Sequence, residues 1–157
     1  MAASVAAITL GPSGYATAPP PKAKNSLEVQ AIQARNFEAE KKVAFNSLLS
    51  VLQGLGYIVA SASMETGFIT AASAVKNNTG FFYAMGGVRR EARVAVTASV
   101  EEVKANSTRV RLKFVSREKS SVERGQQAND DTLLMYPKIY GNAFERIGEA
   151  IFIRKGP

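Results

Sequence analysis

Between positions 91 and 119 apolar and polar residues alternate. Ala92, Val94, Val96, Ala98 and Val100 interleave with Arg93, Ala95, Thr97, Ser99 and Glu101. After Lys104-Ala105-Asn106-Ser107 the alternation resumes, with Val110, Leu112 and Phe114 set among Arg109, Arg111, Lys113 and Arg117. A period of two sends successive side chains to opposite faces, so each arm is a strand with one buried face. The short polar link makes the pair a hairpin. One face is an apolar row that needs a cover. The other gathers Arg93, Arg109, Arg111, Lys113, Arg117 and Lys119 against Glu91 and Glu101.

Residues 38–55 carry a helical period, with Val43, Ala44, Leu48, Val51, Leu52 and Leu55 on one face. Glu38 and Glu40 fall in its first turn, where the helix dipole favours acids, and Gly56 supplies a left-handed stop. Residues 57–62 and 68–75 read as two strands joined through Met64-Glu65-Thr66-Gly67, with Gly67 admitting a positive φ. A second helix runs over 136–153, with Pro137 at its first position. Tyr140, Ala143, Phe144, Ile147, Ala150 and Ile151 form its apolar face. Gly141 and Gly148 each weaken it by about 1 kcal/mol relative to Ala, which points to close passage by another backbone. Over 27–37, Leu27, Val29 and Ala31 are spaced as on a strand, whereas Ser26 with Glu28 would start a helix; the extended reading is preferred. Residues 120–131 are polar and read as a long loop. The predicted order is α-β-β-β-β-α, open to a leading strand. The fold class is α+β: a two-layer sandwich of a four-stranded antiparallel sheet with two helices on one face.

A chain of 157 residues is one domain plus a tail. Residues 1–21 hold no charged side chain. A small apolar run to Leu10 and Ala16-Thr17-Ala18 match the later part of a secretory signal peptide cut after Ala18. The basic leading region is missing, so either Met1 lies inside a longer signal or the segment is an Ala/Pro tail. The expected division is signal peptide over 1–18, linker over 19–26 and a single α+β domain over 27–157. The net charge of +7 favours anionic partners. With no Cys and no His, Cys/His zinc sites, Cys nucleophiles and Ser–His relays are excluded. Glu101 and Glu102 are adjacent on a strand and point to opposite faces, so they form no acid pair. No catalytic residue, metal site or cofactor is expected.

Ile32-Gln33-Ala34-Arg35-Asn36-Phe37, then Leu52-Gln53-Gly54-Leu55-Gly56-Tyr57-Ile58, then Gly67-Phe68-Ile69-Thr70-Ala71, resemble motifs of small bacterial envelope proteins, often lipoproteins. The ending, Tyr136-Pro137-Lys138-Ile139-Tyr140 with Phe144 and Ala150-Ile151-Phe152, is similar to theirs. The resemblance covers roughly residues 28–153. It implies a helix-grip fold like that of the NlpB-type lipoprotein of the BAM complex, and a periplasmic or outer-membrane-associated protein without catalysis. The chain departs from that family in lacking a Cys to acylate.

Three surfaces are candidates. The basic face of Arg93, Arg109, Arg111, Lys113 and Arg117 attracts an anion or a partner; as a solvated sheet face it needs no ligand. The stretch Phe81, Phe82, Tyr83 and Met85, with Arg89 and Arg90, is a membrane or partner loop, or folds back over the core. Tyr140 and Phe144 border a pocket if an apolar ligand sits between helix and sheet. The leading expectation is a non-enzymatic envelope accessory or interaction protein. Its partner is another envelope protein or an anionic membrane surface, and a homo-oligomer is compatible with it. The rivals are a nucleic-acid-binding module on the basic face, disfavoured because the hairpin offers no stacking aromatics, and a carrier of a small apolar ligand. A cytoplasmic location follows if the N-terminal segment is not a signal.

Overall fold

The computed structural model describes residues 25–74, 76–78, 88–122 and 127–157. The predicted hairpin is its spine. Strand β5 (Val88–Lys104) pairs antiparallel with β6 (Ser107–Val122) from Val88 opposite Val122 to Lys104 opposite Ser107. Asn106 at the turn takes φ 56, a left-handed conformation that Asn tolerates. Four shorter strands attach along the two sides of this hairpin, and a fifth adds to one of them. On the β5 side, β3 (Phe68–Ser73) and β4 (Lys76–Asn78) follow one another, and β2 (Tyr57–Ser63) pairs with β3. On the β6 side, β1 (Ala34–Phe37) pairs with residues 108–111 and β7 (Gln127–Leu133) with residues 115–121.

Three helices complete the described residues: α1 (Ser26–Gln33), α2 (Lys41–Gly54) and α3 (Pro137–Lys155). The predicted sandwich of a four-stranded sheet with two helices is not what forms: among the described residues the sheet has seven strands and there are three helices. The extended reading of 27–37 holds only for β1. The segment before it is helical because Asn25, not Ser26, is the cap. Its side chain accepts from Glu28 N–H at 2.8 Å, and its own N–H donates to the Glu28 carboxylate at 3.1 Å. Of the predicted loop over 120–131, residues 120–122 are the end of β6 and 127–131 belong to β7, while 123–126 lie outside the described residues. Helix α2 starts three residues later than predicted, with Glu40 as its cap, so Glu38 and Glu40 are not in its first turn. Gly141 has open space around its Cα and Gly148 meets only the Phe37 ring; neither marks a close backbone crossing.

The inner face of the sheet is the predicted apolar row. Val96, Ala98 and Val100 of β5 lie opposite Phe114, Leu112 and Val110 of β6, all buried, and Ile69 and Ala71 extend the row onto β3. The cover is α2 through Ala44, Phe45, Leu48 and Leu52, and α3 through Tyr140, Ala143, Phe144, Ile147 and Ile151. Burying each large apolar side chain contributes about 1.5–3 kcal/mol. Tyr57 packs at the sheet's edge against Phe114, with ring centroids 6.2 Å apart, and burial pushes its phenol pKa up. Gly67 takes φ 76 beneath the sheet end, where a Cβ would collide with the Val100 carbonyl. Its own carbonyl accepts from Val100 N–H at 2.9 Å. No helix among the described residues is long and apolar enough to cross a membrane.

Strands β1 and β7 leave a gap on the β6 edge at residues 112–114. The Tyr140 hydroxyl fills it. It donates to the Leu134 carbonyl at 2.8 Å and accepts from Phe114 N–H at 3.3 Å, while Leu134 N–H reaches the Phe114 carbonyl at 2.9 Å. The ring stacks edge-on against Phe114 at 5.1 Å. Thr108 seals the β1 end by donating to the buried Ala39 carbonyl at 2.7 Å. Tyr140→Phe keeps the ring and removes both hydroxyl bonds. It should cost about 1–3 kcal/mol, since the Phe114 N–H and the Leu134 C=O lose their partner. At about 2–4 °C per kcal/mol for a domain of this size, thermal unfolding should show a clear drop in midpoint with an unchanged far-UV spectrum. An unshifted midpoint would remove the hydroxyl from the account.

Candidate functional site

The face of the sheet turned away from the helices carries the basic residues. Directly paired residues of antiparallel strands project to the same side, so the register fixes their neighbours. Arg93 lies opposite Arg117, Thr97 opposite Lys113, Ser99 opposite Arg111 and Glu101 opposite Arg109. The structure therefore places all five predicted basic residues, Arg93, Arg109, Arg111, Lys113 and Arg117, on one open face, with Lys119 one step beyond Arg117. They stand there because the inner phase of the hairpin is held by the core. A shift of one residue would bury every one of these cations.

Like charges directly opposite one another repel, and the structure relieves this only in part. Asp131, brought alongside by β7, lies opposite Arg117 with a carboxylate oxygen 3.5 Å from its Nε. Both side chains are more than half exposed, so the pair is a screened surface contact. Arg109 Nε donates to the Asn36 side-chain oxygen of β1 at 3.1 Å. Among the described residues the side chains of Arg93, Arg111 and Lys113 make no hydrogen bond or ion pair. Asp131 could not be foreseen as a neighbour, because its segment reads as a loop.

The face also holds apolar side chains that lie outside the hairpin. Phe68 of β3, 55% exposed, sits opposite Ser99 and thus in line with Arg111. Ile58 of β2 and Leu133 of β7 are 69% and 39% exposed. The only available signal was the presence of Ala95 and Val115 in the polar phase of the hairpin; the partners of these two residues depend on register.

The other candidates fare differently. Phe81, Phe82, Tyr83 and Met85 lie outside the described residues. Arg89 and Arg90 lie on β5 opposite Ser121 and Ser120, within the part of the hairpin that runs beyond β3. Tyr140 and Phe144 are core residues, 1% and 2% exposed. The Tyr140 hydroxyl is committed to the β6 edge, and the Phe144 ring packs against Phe37 at 6.3 Å with the Arg35 guanidinium 5.1 Å from its centroid. That side of the helix–sheet interface is filled by packing.

Compared with known proteins, the chain matches no family model and no curated protein.

Proposed function

We propose that this chain is a non-enzymatic interaction protein of the bacterial cell envelope that holds an anionic partner on the open face of its sheet. The observation that supports this most is a set of cations without direct partners: Arg93, Arg111 and Lys113 project from the hairpin, and their side chains make no ion pair or hydrogen bond among the described residues. Their mutual repulsion is a standing cost that an arriving anion removes, and their field steers such a partner to the face. The envelope setting is supported by the Ala-x-Ala signature at residues 16–18 and by the lipoprotein-like motifs.

Replacing Arg111 and Lys113 together by Ala should weaken capture of an anionic partner from envelope extracts by about tenfold, through loss of steering and contact charge. The melting temperature should stay unchanged, because both side chains are exposed. Equal capture by wild type and variant would leave the face merely solvated. Asp131→Asn removes the carboxylate that competes for Arg117, so the salt needed for elution from heparin should rise. The rise should exceed that for Glu149→Gln, which makes the same charge change at an exposed position of α3. Equal shifts would show that overall charge, not this face, governs retention. Intact mass of the native protein from separated cell fractions should show an envelope species beginning at Pro19; an uncleaved cytosolic chain would overturn the envelope setting.

A further inference from the structure

The open face carries a second pattern besides charge. The register aligns Ile58 of β2 with Ala72 of β3, Ala72 with Ala95 of β5, Ala95 with Val115 of β6, and Val115 with Leu133 of β7. These five residues form one aliphatic row across five strands, uninterrupted by any polar side chain. The large residues stand at its ends, and the small Ala72 and Ala95 form part of its middle. On one side the next row holds Arg93, Arg117 and Asp131; on the other it holds Thr70, Thr97 and Lys113, with Arg111 beyond. Adjacent rows are about 6.8 Å apart along the strands. Long cationic side chains therefore border a low aliphatic floor, making a shallow trough with positive walls.

We propose that this trough seats an acidic amphipathic helix of a partner protein, lying across the strands with its apolar stripe on the row. The proposal rests on the reading of this face as an anion-binding interaction surface and specifies what it holds. Five strands spaced about 4.8 Å span about 19 Å, the length of about 13 helical residues. A helix about 10–12 Å across carries the positions flanking its stripe over the two cationic rows. The partner helix is thus apolar at i, i+3, i+4 and i+7, with Glu or Asp on both borders.

Charge complementarity selects this occupant over the others. A second copy laid face to face would bring the same cations against these. The chain's own residues 1–24 and 79–87 contain no acidic side chain, and residues 123–126, with Glu123 alone, are too few for such a helix. Single-stranded nucleic acid needs ring faces along its path. This row is aliphatic, and Phe68 is the aromatic side chain that the described strands place on the open face. A lipid surface supplies head-group charge but no ridge to fill a trough.

The test is a titration of the full chain, at physiological salt, with four labelled probes. They are a helical peptide of about 14 residues with a Leu stripe bordered by Glu, a scrambled peptide of the same composition, phosphatidylglycerol-containing vesicles and an oligo-dT strand. The striped peptide should bind about tenfold or more tightly than the scrambled one, the size expected for seating several aliphatic side chains. The double change Ile58→Ser with Leu133→Ser should erase that preference without altering heparin retention, since both residues are exposed and uncharged. Equal binding of striped and scrambled peptides, or tighter binding of vesicles or oligo-dT, would overturn the helix assignment and leave the anion-binding reading standing. No binding of any probe, with Arg111→Ala/Lys113→Ala also without effect on captured partners, would overturn both.

Discussion

The register of β5 against β6 governs the rest of the molecule. Val96 opposite Phe114, Ala98 opposite Leu112 and Val100 opposite Val110 put the apolar phase of both strands on one side. Strands β1, β3, β4 and β7 dock on the edges of this pair, β2 adds to β3, and both long helices cover its inner face. Because the side-chain period is two, the pairing that builds the core also determines which residues are left outside. The interior and the candidate binding surface are two faces of one constraint. The turn at Asn106 and the irregularity between Glu102 and Lys104 tie that register at the closed end.

The helices cover only one side, so the outer face must be compatible with water. Arg and Lys meet that requirement while their stems lie along the sheet. The same choice restricts what can dock. Burying an unpaired cation against an apolar surface costs far more than hydrophobic contact returns. A partner that covers this face therefore brings acidic groups to the rows of Arg93, Arg117 and Lys113, and apolar groups to the row between them. Asp131 already shows the arrangement on a small scale beside Arg117.

Much of the fold could be read from the sequence, and the errors have identifiable causes. The hairpin, α2, α3 and the β2–β3 pair carry strong periods, because each has one wet and one dry side. Helix α1 has no buried residue and meets the core through the partly buried Ile32 near its end, so no apolar stripe imposed a helical pattern on it. Leu27, Val29 and Ala31 imitated a strand, and the decisive signal was the Asn25–Glu28 capping box. Strand β7 pairs along the part of β6 running out beyond the buried Phe114, so Gln127–Leu133 carries no apolar alternation and reads as loop. The basic residues were legible because a single hairpin presents them. The aliphatic row was not, because it draws one residue from each of five strands and exists only through their relative registers.

The most direct test of the account is a map of backbone amide shifts during titration of the isotopically labelled chain with an acidic amphipathic peptide. The responding amides should fall on the open-face pairs of β5 and β6, from Arg93 with Arg117 to Ser99 with Arg111. They should continue through Ala72 of β3 to Ile58 of β2, with α2 and α3 silent. Shifts concentrated on the outer surfaces of α2 and α3, with the hairpin unmoved, would contradict it.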